Sequence, residues 1–304
     1  MPNIRAGVLL ILCLGGLQPR QRGPVYVTAS FVDKNNLFIE SLSNDEVQVL
    51  ENGQVRRIEF MARDEIPVVY GLIFERALFS ELQADDRSRY GRVSGSTSAR
   101  EIAYQLIDKY LGRQAMWVGA YDQGLEVVLD VSFDGSKVKE TIQQLQGLRR
   151  PPQSLLHGAL LSAVTKMNDR PEKRRVLLVF LDVLDVDSGG KIKSLKSLLS
   201  ASNVEVFFVS LASALGGTRS ALHPQMSQAG LKELATATAG DALFATNYRE
   251  HSEDLTQKIY NQIRTFYTFG FQAEFTGEKP GSLLVKCTRA GSKVRHHPEV
   301  PALP

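Results

Sequence analysis

Two long apolar stretches stand out in the pattern of hydrophobic and polar positions along the chain. Residues 68–74 are almost entirely apolar and end at Glu75, and residues 175–182 repeat this design with a basic start and Asp182 at the end. A strand without a polar face is typical of a parallel sheet that is buried on both sides. The pattern therefore predicts two neighbouring central strands. Their carboxyl ends, Glu75 and Asp182, are where an open α/β sheet would bind a ligand.

The rest of the region 65–265 alternates between strand and helix patterns. Helices are predicted at 97–111, 137–145, 154–167, 191–199, 231–238 and 252–266, and further strands at 115–121, 125–131, 204–211 and 241–245. Residues 122–124 form a turn between two of these strands, and Gly240 is expected to end the helix before it. The alternation predicts an α/β fold with a doubly wound, mostly parallel sheet of the Rossmann-like kind and one antiparallel hairpin.

Both ends of the chain have the two-residue period of β-strands instead. Residues 24–64 alternate and contain a hairpin whose turn, Asn52-Gly53, has residue types that tolerate positive φ angles. Residues 266–304 alternate again, around a turn at 277–281. Because a lone hairpin is marginally stable in water, we expect the strands of both ends to pack into one small β module.

Residues 1–23 have the features of a signal peptide. Arg5 precedes an apolar core at 6–17 that is too short to span a bilayer as a mature helix. The pattern predicts cleavage and export to the periplasm or the extracellular space, with an uncleaved amino-terminal anchor as the alternative. No later stretch approaches ~20 apolar residues, so the mature chain is not expected to insert into a membrane.

Composition narrows the possible classes of protein. Of the 304 residues, 43% are hydrophobic and 23% charged, with a net charge of +3, as in ordinary globular proteins. The basic residues form no stripe with interleaved aromatic residues, so nucleic acid is not an expected partner. The two cysteines, Cys13 and Cys287, offer neither a disulfide framework nor a zinc site, because Cys13 lies in the predicted signal peptide.

The order of these features resembles the bacterial VWFA-related family, in which flanking β-strands accompany a von Willebrand factor type A domain. The resemblance covers about residues 25–300. Its most specific parts are the segment 44–53, which is similar to the family's D-F-x-V-x-E-D-G, and the tail. In the tail, residues 267–271 are similar to the family's Y-x-L-G-Y, and Lys293-Val294-Arg295 matches its K-V-R.

The resemblance implies a metal-ion-dependent adhesion site, at which the family holds magnesium with D-x-S-x-S and a downstream Thr and Asp. The five positions fall on Glu75, Ala77, Phe79, Ser154 and Asp182. Ala77 and Phe79 have no side-chain oxygen to offer an ion that requires near-octahedral oxygen ligands. Gly158 stands where the family often has another Asp. We therefore expect a degenerate site without magnesium or another cofactor, and weak divalent-cation-dependent binding is the alternative.

Without a cation, Glu75 and Asp182 would place like charges at adjacent strand ends, which is unfavourable in a partly buried cleft. Arg76 follows Glu75 in the sequence and could supply the missing positive charge through a bidentate pair. An Arg76 that points into solvent is the alternative, because the sequence does not determine side-chain direction in a turn.

The sequence contains parts of two enzyme motifs, but neither motif is complete. Ser154, His157 and Asp182 are the residue types of a hydrolytic triad, but no serine lies in G-x-S-x-G. Residues 91–98 lack the Gly-Lys-Ser/Thr of a phosphate-binding loop. His296-His297 could bind a transition metal, but a solvated tail is the favoured interpretation. The sequence thus predicts a secreted, non-enzymatic interaction module with an unidentified protein partner. A hydrolase-like or nucleotide-binding enzyme is the alternative.

Overall fold

The computed structural model describes residues 21–35, 37–63, 66–79, 95–146, 155–181, 192–211, 228–245, 252–264, 266–274 and 281–300. Several predictions fall on other residues and lie outside these ranges. They concern Ser154, Asp182, residues 1–20 of the signal peptide, and the long polar segments that follow the predicted strands.

In chain order the elements are β1 (Gln21–Val32), β2 (Val47–Glu51), β3 (Gln54–Arg56), β4 (Phe60–Arg63), β5 (Val68–Glu75), α1 (Gly95–Leu106), β6 (Ala115–Tyr121), β7 (Leu125–Ser132), α2 (Gly135–Gln144), α3 (Leu156–Asn168), β8 (Arg174–Leu181), α4 (Ile192–Ala201), β9 (Glu205–Ser210), α5 (Gln228–Thr236), β10 (Ala242–Phe244), α6 (Ser252–Ile263), β11 (Tyr267–Glu274), β12 (Leu283–Cys287) and β13 (Lys293–His296). Short 3-10 turns cover Asn44–Glu46 and Arg76–Phe79, and Ile107–Leu111 continues α1 as a π-helical turn.

A six-stranded sheet forms the centre of the molecule, in the order β10-β9-β8-β5-β6-β7. Its neighbouring strands are parallel except for β6 and β7, which form the predicted antiparallel hairpin. β5 pairs with β8 and is buried along its whole length, as the unbroken apolar pattern predicted. The doubly wound, mostly parallel α/β fold is confirmed.

Helices cover both faces of this sheet. Apolar residues of α1, α2 and α6 pack on one face, and those of α3, α4 and α5 pack on the other. The close fit around Trp117 shows how dense this packing is. A Cβ atom at Gly71 would lie 2.7 Å from the Trp117 ring, and the indole N–H of Trp117 donates to Met167 Sδ over 3.0 Å. No helix among the described residues is long and apolar enough to cross a membrane.

Strands from the two ends of the chain pair with each other in two further sheets. The four-stranded sheet has the order β13-β1-β11-β4, and the three-stranded sheet has the order β12-β2-β3. Their apolar faces share one core, whose largest members include Phe31, Phe269 and Phe271. We call this two-sheet unit the sandwich. Two sheets form because a single sheet would leave one apolar face of these strands in water.

Several predicted boundaries differ from the structure. β1 begins at Gln21, because its ladder with β11 extends to the pair Gln21–Glu274, so residues 21–23 belong to a strand. The hairpin turn Asn52-Gly53 has the expected positive φ angles of 50° and 80°. However, its second strand is only β3, and Phe60 begins a separate strand of the other sheet.

The end of α5 corrects the expected role of Gly240. The residue with a positive φ angle is Ala239, at 60°, so Gly240 is not the left-handed cap. Gly240 instead passes very close to β9, where an added Cβ atom would lie 1.8 Å from the Val206 carbonyl oxygen. Glycine is therefore required at this position by close approach of two backbones.

Candidate functional site

The carboxyl edge of the central sheet is the candidate site. The chain adds β6 and β7 on one side of β5 and then returns to place β8 on the other side, which makes a topological switch point between β5 and β8. Ligands bind outside the strand ends at such a point in open α/β sheets. The opposite, amino edge is covered by the sandwich, where the Arg295 guanidinium of β13 lies 5.8 Å from the Phe207 ring centre of β9.

Glu75 and Ala77 are both buried at the start of this edge. Glu75 is the last residue of β5, faces Tyr121 of β6 in the strand register, and is only 1% exposed. Ala77 lies in the 3-10 turn that follows and is 4% exposed. The Ala77 methyl group has no oxygen to offer a cation.

Phe79 closes the turn and packs on an aromatic stack. Its ring centre lies 6.0 Å from that of Phe74 in β5, and Phe74 stacks on Phe180 of β8 at 4.6 Å. The guanidinium of Arg100 lies over the Phe79 ring, 4.8 Å from its centre, in a cation–π contact. The Phe79 ring thus contacts both the aromatic stack and the Arg100 guanidinium.

Arg100 is itself held by the end of α2. Its guanidinium donates hydrogen bonds to the carbonyl oxygens of Ile142, Gln143 and Leu145, the last over 2.8 Å. The Ile142 oxygen also accepts from the Leu145 N–H group over 3.3 Å. Carbonyls at the end of a helix have few intrahelical donors, and a cation there is favourable because of the helix dipole. Arg100 therefore connects the Phe79 turn to α2. The sequence analysis did not identify Arg100 as a site residue.

Arg76 is held by residues outside the predicted ligand positions. Its guanidinium forms an ion pair with Glu126 of β7 and donates to the Gln146 carbonyl oxygen over 3.2 Å. The Arg76 side chain is 20% exposed, so it does not extend into solvent, whereas Glu126 is 66% exposed. No pattern in the sequence pointed to Glu126, because its pairing with Arg76 depends on the twist and register of the β6–β7 hairpin.

The remaining predicted residues are not brought together in the described part of the chain. Ser154 and Asp182 lie outside it. His157 is half-buried in the first turn of α3, and Gly158 beside it has open space where a side chain would begin. Within the described ranges, no group of three or more His, Cys, Asp or Glu side chains could hold a metal ion.

A separate cleft of about 530 Å³ lies between α6 and the sandwich. Phe38, Arg264, Lys293 and Arg295 are among the residues that line it. This cleft is at the amino edge of the sheet and contains none of the predicted site residues. It is therefore distinct from the candidate site.

Comparison with known proteins identifies the fold. No family profile matches the chain. The chain is 29% identical over 91 residues to the hyaluronate lyase HylA of Cutibacterium acnes, which is 30% of this chain and 11% of the lyase. The chain thus spans about a tenth of the length of this curated relative.

The similarity to solved structures extends over a larger part of the chain than the similarity to the lyase. Proximal thread matrix protein 1 from the mussel byssus, solved with a zinc-occupied MIDAS motif, aligns with a TM-score of 0.51 and 12% identity over 71% of this chain and 50% of its own. A von Willebrand factor type A protein from Catenulispora acidiphila aligns with a TM-score of 0.48 and 12% identity over 93% of this chain and 74% of its own. At such identities the likeness concerns the fold alone. The mostly parallel α/β sheet with helices on both faces is consistent with the von Willebrand factor type A-like fold that the sequence predicted.

Proposed function

We propose that this chain, with its von Willebrand factor type A fold, is an exported, non-enzymatic module that binds a protein partner at the carboxyl edge without a metal ion. The observation that carries the proposal is the packing of Ala77 and Phe79. Ala77 is buried, and the Phe79 ring contacts both Phe74 and Arg100. Two of the five ligand positions of the family therefore have structural roles that exclude coordination.

The charges at this edge support a metal-free site. Arg76 and Arg100 place two permanent positive charges within hydrogen-bonding distance of the consecutive carbonyl groups of Leu145 and Gln146. We infer that fixed arginines stabilise this edge. The sequence suggested Arg76 as the counter-charge of Glu75 and Asp182, whereas the ion-pair partner seen for Arg76 is Glu126.

A non-enzymatic role is favoured by the site and by the extent of the likeness to the lyase. The match to hyaluronate lyase covers 11% of that protein, too little to carry its activity to this chain. The serine of the triad-like set, Ser154, has no nucleophile elbow around it. Export is supported by the signal-peptide pattern of residues 1–23.

Metal independence is tested by calorimetric titration of the purified chain with Mg²⁺ and Mn²⁺. We expect no saturable site tighter than about 0.1 mM, in the range of working oxygen sites. Chelator should leave the melting temperature unchanged, because an ion bound to the native state alone would raise it. A saturable site together with a lower melting temperature in chelator would show that the protein is a cation-dependent binder.

Partner binding is tested by capture from the exported fraction on immobilised chain, with and without chelator. Glu126→Lys at the carboxyl edge should abolish capture of any specific partner, because it breaks the pair with Arg76 and inverts the edge charge. Glu140→Lys makes the same charge change on the exposed side of α2 and should leave capture intact. Equal effects of the two variants would place the binding surface elsewhere.

A further inference from the structure

Two adjacent histidines, His296 and His297, lie where the two sheets of the sandwich meet the α/β domain. The expected solvated tail is wrong here, because His297 is 0% exposed and His296 is half-buried. The chain after β13 folds back beside β12, with hydrogen bonds from Leu283 N to the Pro298 oxygen and from Val300 N to the Gly281 oxygen, each 2.8 Å. These bonds draw the histidines into the protein.

The hydrogen bonds of His296 require a neutral ring. The Val285 N–H group of β12 donates to His296 Nε2 over 3.3 Å, so this nitrogen must carry a lone pair. The other nitrogen, Nδ1, lies 2.5 Å from the His297 carbonyl oxygen and must carry the hydrogen. His296 thus connects β13 of the four-stranded sheet to β12 of the three-stranded sheet, and a second proton would set two N–H groups against each other.

His297 is buried more completely than His296. Neither of its ring nitrogens has a hydrogen-bond partner among the described residues. Burial lowers the pKa of His297 from 6.5 to about 4, with Glu205 opposing this shift and His296 adding to it. Burial also lowers the pKa of His296, partly offset by its contact with the His297 carbonyl. Both rings are therefore neutral at the pH of most compartments.

No counter-charge among the described residues is free to stabilise a protonated His297. Glu205, at the amino end of β9, uses both carboxylate oxygens to bind Arg174 of β8, at 3.0 and 2.8 Å. The Asp241 carboxylate, just before β10, faces Arg295 of β13 at 3.6 Å. The charged groups around the histidines are thus already paired, and two of them are cations.

We propose that the His296–His297 pair is an acid-sensitive latch between the sandwich and the central sheet. When both rings are neutral, His296 joins the two sheets of the sandwich and His297 fills the junction with the amino edge. Protonation breaks the Val285 bond and places a charge in the dry junction, so the sandwich is released. The latch lies at the opposite end of the sheet from the proposed partner site and does not depend on that proposal.

The sign of the effect follows from the direction of the pKa shifts. The unfolded chain binds a proton to each histidine near pH 6.5, whereas the folded chain resists it, so stability is full above about pH 7 and is lost as the pH falls. For His297 alone, a change from 6.5 to about 4 raises the unfolding equilibrium constant about 20-fold between about pH 7 and pH 5. Carboxyl groups titrate mostly below this window.

The experiment compares the parent chain with the double variant His296→Gln/His297→Leu at these two pH values. Glutamine can keep both hydrogen bonds of His296 without titrating, and leucine fills the space of His297 without a charge. Denaturant melts should show a change of at least about 20-fold in the parent, the share of His297 alone, and less than about 3-fold in the variant. Amide hydrogen exchange in β12, β13 and the first residues of β9 should accelerate at the lower pH in the parent only, after correction for intrinsic exchange rates.

His157→Gln serves as the matched control, because His157 lies in α3, away from the junction. The unfolding equilibrium of this variant should depend on pH as strongly as that of the parent. His296→Gln alone should remove part of that dependence, which provides the test if the double variant fails to fold. The proposal is overturned if the acid dependence survives in every folded variant of the pair, or if acid opens the central sheet and the junction together.

Discussion

At the scale of single residues, Phe79 is a central contact of the carboxyl edge. Its ring contacts Phe74 of β5 and the guanidinium of Arg100 in α1. Arg100 in turn is bound to the carbonyl groups at the end of α2. The aromatic ring is therefore part of the packing between β5, α1 and the end of α2.

Arg76 offers a prediction at this scale. Because its partner Glu126 is 66% exposed, we expect Arg76→Ala to lower the free energy of unfolding by only about 1 kcal/mol in denaturant melts. Glu126→Gln should cost a similar amount, and the two changes should be less than additive, since they remove one interaction.

A larger loss of stability in Arg76→Ala would support the role that the sequence suggested for Arg76, as the counter-charge of Glu75. If Arg76 mainly neutralises Glu75, its removal should cost about 3–5 kcal/mol, the range for leaving a buried charge uncompensated. That loss should then shrink in the background of Glu75→Gln. Glu126→Gln alone would have little effect in that case.

At the scale of elements, β11 is the strand on which the sandwich depends. It lies between β1 and β4 in the four-stranded sheet, and Phe269 and Phe271 on its inner face are 0% exposed. The strands from the amino end of the chain therefore acquire a partner and a core only after the last part of the chain has been made.

Removal of residues 266–304 should expose the apolar faces of β1 and β2. We expect aggregation or loss of cooperative melting, because the remaining strands of the sandwich have too little apolar surface to bury on their own. Unchanged cooperative melting of the shortened chain would show that the tail is an independent appendage.

A pair of point variants tests the same idea without truncation. Phe271→Ala should cost about 3–5 kcal/mol, the usual range for a large ring removed from a core. Gln272→Ala, on the outer face of the same strand, should stay within about 0.5 kcal/mol. Similar costs at the two positions would contradict the assignment of the inner face.

At the scale of the whole molecule, a buried cluster of charges joins the sandwich to the central sheet. Arg174 and Glu205 are 6% and 2% exposed and form a bidentate pair, and Arg174 also donates to the Ile263 carbonyl at the end of α6. Arg295 of the sandwich lies over the Phe266 ring beside them, 5.2 Å from its centre, and its guanidinium lies 3.6 Å from the Asp241 carboxylate just before β10. The two units are therefore connected by ionic and aromatic contacts as well as by the chain.

Loss of one partner of the Arg174–Glu205 pair should be severe. We expect Arg174→Met or Glu205→Met alone to cost about 3–5 kcal/mol, because each leaves a buried charge without its counter-charge. The double variant should recover most of this loss, since apolar residues of similar size can replace a buried ion pair. The measurement is the free energy of unfolding from denaturant melts, and single variants within about 1 kcal/mol of the parent would contradict it.

The local pattern of the chain was sufficient for the fold class and for most elements. An unbroken apolar run has no solvent-facing side, so β5 and β8 had to lie inside a covered sheet, and their pairing followed from the parallel architecture. Asn52-Gly53 predicted its turn because few other residues accept positive φ angles there. These features depend on neighbours in sequence or on burial alone.

Other features depend on which elements meet, and they were decided only by tertiary packing. Arg76 and Glu126 are 50 residues apart and pair through the β6–β7 hairpin. His296 and His297 have the composition of a polar tail, yet the return of the chain beside β12 buries them. Gly240 resembles a helix cap but is required by the approach of Val206. Contacts between distant segments depend on distances that no local period encodes, which is why the carboxyl edge and the latch required the folded structure.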